Sequence, residues 1–200
     1  MQVLGAARLV GFTSWGSRPG PSLFARLHDA WKMALRFGPL PEGISASLIS
    51  TTDQMPDNLR SVSGHMALQA RLGGVHGPGV VIDVSDHAGA AGRQLRLVGA
   101  DGQIWVNDDS YAVYTSEGQL LDGNLSNPLT ADATYPQLIA EHWRRLVEIN
   151  RQDLELPVSN DEMITACCQA SLLSARTGQA ESPKKLLVAH GYAKAGGHTT

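Results

Sequence analysis

The sequence predicts an α+β protein, a two-layer sandwich in which an open, mostly antiparallel sheet is covered on one face by helices. Three observations predict it. Short alternating segments separated by turn residues fill the first two thirds of the chain. Helical periodicity is confined to one early stretch and two late ones, so strands and helices are segregated rather than interleaved. The last long helix, Pro157 to Gly178, carries an apolar stripe of small side chains (Ile164, Cys167, Cys168, Ser171, Leu172, Ala175) that suits close approach to a sheet.

Taken in order, Ala7 to Trp15 is rich in strand formers and ends at a turn cluster, Gly16 to Pro21. Leu23 to Phe37 follows as a helix with Leu23, Leu27, Ala30, Trp31, Ala34 and Leu35 on one side, stopped by Gly38-Pro39. Gly43 to Thr52 is the next strand, and Asp53 to Arg60 a polar loop. Gly64 to Leu72 and Val80 to Ser85 alternate in polarity around a glycine-rich turn, Gly73 to Gly79. Gln94 to Val98 and Gln103 to Val106 flank Ala100-Asp101-Gly102, a hairpin signal. Tyr111 to Thr115 and Gln119 to Leu121 flank Glu117-Gly118 in the same way. The run reads as a meander with one face in need of a cover.

Thr134 to Ile149 supplies part of that cover: Thr134 with Gln137 forms a capping box, and Pro136 sits in the first turn, where a missing N–H is harmless. In the Pro157–Gly178 helix, Ser159 and Glu162 form a second capping box. Asp161 and Glu162 suit the positive end of the dipole, Arg176 the negative end, and Gly178 the left-handed stop. Lys184 to Val188 is expected to be a short strand or extended tail. One domain over residues 1–188 and a flexible, glycine-rich tail over 189–200 complete the plan.

With 42% apolar and 18% charged residues, the composition is that of an ordinary globular protein, and a formal charge of -3 offers no electrostatic footprint for nucleic acid. No apolar run reaches the roughly 18 residues of a membrane span, and no secretory leader is evident. The two cysteines are adjacent on a helix, where neighbouring side chains diverge, so packed thiols and a cytoplasmic setting are expected.

The chemistry is sparse. No G-x-G-x-x-G joins a strand to a helix and no phosphate-binding lysine loop is present, so the chain is expected to hold no nucleotide cofactor by itself. His65, His76 and His87 are evenly spaced but fall on different strands or turns, and no metal site is assigned. Ser63-Gly64-His65 and Ser14 to Ser17 lack the nucleophile-elbow pattern. His28 sits beside the apolar stripe of the first helix, one turn before Lys32. A neutral imidazole there suits exchange of a proton with a substrate hydroxyl; the bland alternative is a half-buried histidine packed against Trp31 and Lys32.

Three phrases, in this order, resemble one family. Ser22 to Pro39 (SLFARLHDAWKMALRFGP) resembles a helix that carries a histidine and ends in Gly-Pro. Leu95 to Asp108 (LRLVGADGQIWVND) resembles a hairpin with a Gly-x-x-Gly turn, and Gln169 to Pro183 (QASLLSARTGQAESP) a small-residue helix with a glycine stop. From about Ala7 to Leu187 the chain resembles the C-terminal domain of the Gfo/Idh/MocA oxidoreductases (glucose-fructose oxidoreductase, inositol 2-dehydrogenase and relatives). The resemblance implies an open sheet that binds a sugar, cyclitol or related polyol and that dimerises through its sheet. It also implies an N-terminal Rossmann domain that holds NAD or NADP and carries a lysine in a Glu-Lys-Pro motif. No such domain is found in these residues. A D-x-x-x-H motif on the first helix completes that family's catalytic group. His28 matches its histidine, but Phe24 stands where the aspartate is expected and Arg26 where a glycine is usual.

The expectation is therefore a substrate-binding and dimerisation domain, with His28 catalytic, Trp15, Arg18 and Lys32 as pocket walls, and NAD or NADP brought by a Rossmann partner or segment. Alone, the chain is expected to be inactive. The alternative is a non-catalytic binding or assembly module that keeps the fold after loss of the aspartate. A third reading is a nucleotide-independent lyase or isomerase using His28 or the His65/His87 region.

Overall fold

The computed structural model describes residues 4–16, 20–51, 61–124 and 161–191. Eight strands, β1 (Ala7–Trp15), β2 (Pro41–Ser50), β3 (Gly64–Leu72), β4 (Gly79–Ser85), β5 (Gly92–Gly99), β6 (Gly102–Asn107), β7 (Tyr111–Thr115) and β8 (Leu120–Asn124), form one open sheet in the order β2-β3-β4-β1-β5-β6-β7-β8. Helices α1 (Leu23–Ala34), α2 (Asp161–Thr177) and α3 (Pro183–Ala189) complete the described elements. The α+β plan with an open, mostly antiparallel sheet is as the alternation predicts. The simple meander is not: β1 lies in mid-sheet, antiparallel to β5 and parallel to β4. Its Val10 and Phe12 pack against the hydrophobic core, as do Val80, Ile82 and Val84 of β4, and a central place removes them from water.

Alternation assigns the faces. Val10, Phe12, Ile44, Met66, Leu68, Val80, Ile82 and Val84 lie under α1 and α2, with Trp31 of α1 fully buried, and Leu97 of β5 shares their face. Opposite them, Ile49, Val81, Asp83, Trp15 and Trp105 belong to the face that no described helix covers. In α2, Ala166, Cys167, Cys168, Ala170, Ser171 and Ser174 are all buried, a broader small-residue surface than the single stripe expected. Their size lets the helix backbone come near the sheet, so that Ser174 Oγ accepts the Ala46 N–H of β2 at 3.0 Å.

The ends follow local chemistry. Ser22 caps α1 by accepting the Ala25 N–H. The helix stops at Ala34, earlier than expected, because Arg36 and Phe37 bond to the carbonyls three residues back and tighten the last turn. Gly178 takes φ +69° after α2, as a left-handed stop requires.

Residues 184–188 are not a strand or an extended tail. They lie in α3, where Pro183 pre-sets the first helical φ and Leu187 is buried. The β-partner near this end is Glu181 instead, whose backbone pairs with Ile44 and covers the outer edge of β2. The expected Thr134–Ile149 helix, the 53–60 loop, the Ser159 cap and most of the 189–200 tail lie outside the described residues.

Candidate functional site

Gly16, just beyond β1, is where the polar groups at one rim of the sheet meet. Its N–H donates to the Ser85 carbonyl of β4 at 3.0 Å, and its own carbonyl accepts the Ala88 N–H at 3.0 Å. From the helix layer, Arg26 of α1 reaches the same spot. Its Nη1 donates to Ser14 Oγ (3.1 Å) and to the Trp15 carbonyl (2.9 Å), and its Nε donates to the Pro21 carbonyl (3.2 Å). A side chain at Gly16 would run into this guanidinium. Arg26 is buried, so the residue standing where the family has a glycine is a structural tie between α1 and β1.

His28 lies two residues further along α1, half-buried, with its ring 6.2 Å from that of Phe24 at an interplanar angle of 52°. Its ring makes no hydrogen bond among the described residues. Phe24 lines a shallow apolar crevice with Leu23, Leu27, Val62, Met66 and Leu172, so the position where the resemblance expects an aspartate is occupied by apolar packing. Lys32 is exposed one turn after His28. Trp15 is on the uncovered face of the sheet, away from α1, with its indole N–H on Asp83 Oδ1 (3.2 Å). The three described residues therefore divide between the two faces, and Arg18 lies outside the described residues.

Two histidine–carboxylate pairs occupy this rim. On the uncovered face, His65 Nε2 is 3.1 Å from Asp83 Oδ1, the oxygen that also accepts from Trp15. At the end of β4, His87 Nδ1 is 2.9 Å from Asp86 Oδ1. Asp86 is 1% exposed, and its carboxylate also accepts the Gly64 N–H at 2.7 Å and the Ser63 hydroxyl at 3.0 and 3.1 Å. His76 sits in the β3–β4 turn, at the opposite end of the hairpin from His65 and His87, so the three histidines do not converge.

Ser63 also fails as a nucleophile of the triad kind. It lies 3.3 Å from His87 Nδ1, the nitrogen already facing Asp86, whereas a triad places serine and carboxylate on opposite ring nitrogens. Sequence reasoning passed over the tie made by Arg26 and the pairing of Ser63 with Asp86. The adjacency Asp86-His87 just past a strand end was the available signal.

No family model and no curated protein matches the sequence. Solved structures do match. A probable dehydrogenase from Thermotoga maritima aligns with 92% of this chain and 58% of its own length, at 17% identity and a TM-score of 0.66. A levoglucosan dehydrogenase in complex with NADH and L-sorbose aligns over 90% of this chain and 59% of its own, at 12% identity and TM-score 0.71. An oxidoreductase from Agrobacterium radiobacter in complex with NAD+, L-tartaric acid and magnesium covers 93% and 59%, at 14% identity and TM-score 0.63. The chain thus has the fold of one part of Gfo/Idh/MocA-like oxidoreductases and spans under two thirds of their length. The resemblance first carried by three short phrases holds at the level of the fold.

Proposed function

We propose that the chain is the substrate-binding and dimerisation domain of a cytoplasmic Gfo/Idh/MocA-like oxidoreductase acting on a sugar, cyclitol or other polyol. The observation that carries this reading is the fold match, which covers nine tenths of this chain and only about three fifths of oxidoreductases whose complexes contain NADH or NAD+. In this reading NAD or NADP is held by a Rossmann domain other than these residues, since hydride transfer needs a nicotinamide fixed against the substrate carbon. His28 contacts a substrate hydroxyl, Lys32 and Arg18 line the approach, and the uncovered sheet face with Trp15 joins two copies. A panel of polyols tested by thermal shift checks the substrate class, because stabilisation follows occupancy. At least one member raises the melting temperature and His28→Ala removes the rise; a flat panel refutes the reading. NADH alone is expected to leave the melting temperature unchanged.

A second reading is favoured by Phe24. An aromatic side chain packed into an apolar crevice where the family has its aspartate fits a binding or assembly module without catalysis. Supplying the purified chain with a Rossmann-domain partner and finding polyol oxidation would defeat that second reading.

A further inference from the structure

We infer that His87, held by Asp86, is a binding site for a ligand hydroxyl, with Nε2 as the acceptor. The inference rests on the polyol reading above and places the hydroxyl contact at a residue that reading does not use. The geometry determines the tautomer. A buried carboxylate at hydrogen-bond distance accepts and does not donate, so His87 Nδ1 carries the proton and gives it to Asp86 Oδ1 at 2.9 Å. The Ser63 hydroxyl donates to the same carboxylate, and its oxygen, which accepts the Thr51 hydroxyl at 3.3 Å, also lies 3.3 Å from Nδ1. In the neutral ring Nε2 is then the unprotonated nitrogen, and among the described residues nothing bonds to it.

The backbone is held as firmly as the ring. The His87 N–H donates to Ser85 Oγ at 3.2 Å, Ser85 Oγ donates to the Gly64 carbonyl, and the next residue, Ala88, is tied to Gly16. While Asp86 is 2% exposed at its side chain, that of His87 is 42% exposed, so a fixed donor side lies under an open acceptor side. Among the described residues His28 has no orienting group of this kind, and Phe24 stands where the resemblance expects the carboxylate. A neutral nitrogen lone pair backed by a carboxylate suits an uncharged O–H donor. An anion would be repelled.

Ring 15N shifts of His87 in the ligand-free protein test the tautomer, and a Nε2–H form overturns the inference. Thermal shift with myo-inositol, sorbitol and L-sorbose, with sulfate as the anionic control, tests the ligand class. The expected result is stabilisation by a polyol and not by sulfate, with apparent affinity falling about tenfold in His87→Ala. Partial recovery is expected in His87→Gln, whose amide oxygen offers an acceptor near the Nε2 position. A polyol shift that survives His87→Ala but is lost in His28→Ala overturns this inference and leaves the function reading standing. Stabilisation by sulfate alone overturns the assignment of Nε2 as acceptor. Absence of any polyol shift in the wild-type chain overturns both.

Discussion

Trp31 and the residues beneath it show how much of the helix layer depends on single polar atoms. Its indole is fully buried, and the N–H donates to Ser171 Oγ at 3.2 Å; that hydroxyl donates in turn to the Cys167 carbonyl at 2.8 Å. Ser171→Ala keeps the volume but leaves a buried N–H without an acceptor, which costs about 1–3 kcal/mol; urea denaturation reads the loss. The neighbouring thiols make a second residue-scale prediction. Burial pushes both Cys167 and Cys168 well above their usual value of 9.0. The folded thiols therefore stay protonated at a pH where the unfolded ones ionise. Stability from this source is complete below about pH 8.5 and falls as pH rises beyond it, because the unfolded state then binds fewer protons. The Cys167→Ala, Cys168→Ala double variant should lose that alkaline slope. A thiol reagent should label the native wild-type chain only after denaturant is added.

Among the elements, the start of β3 leaves no room for a side chain. Gly64 has φ +135°, and a methyl group there would strike the Ile49 carbonyl of β2. The same residue donates its N–H to Asp86, so β2, β3 and the end of β4 are joined within a few ångströms. Gly64→Ala should destabilise the fold by about 1–3 kcal/mol from backbone strain alone, measured as a lower denaturation midpoint. Strand periodicity identified β3 to the residue, yet its contact with Asp86 spans 22 positions and left no periodic trace. The same applies at the C-terminus. Lys184 to Val188 reads as a short strand or extended tail because short apolar runs are ambiguous; in the fold it is helical, with Leu187 buried against the core.

At the scale of the whole molecule, the described helices cover one sheet face and none of them lies on the other. Ile49 is 73% and Val81 47% exposed on the open face, beside the exposed rings of Trp15 and Trp105. If two copies meet there, lysine at both Ile49 and Val81 should convert a dimer to a monomer in sedimentation while circular dichroism stays unchanged. A dimer that persists would move the interface elsewhere. Alternating polarity, capping residues and turn glycines are short-range properties, so the eight strands, α1, α2, most of their limits and the α+β class, though not α3, were readable from the chain alone. So was the candidate His28, because it rests on a local phrase. The central place of β1, the division of Trp15 from His28 between opposite faces, and the convergence of Ser63, Gly64 and Asp86 were not. They depend on which strand edges pair once every apolar surface competes for burial, and that competition is decided only in the assembled fold.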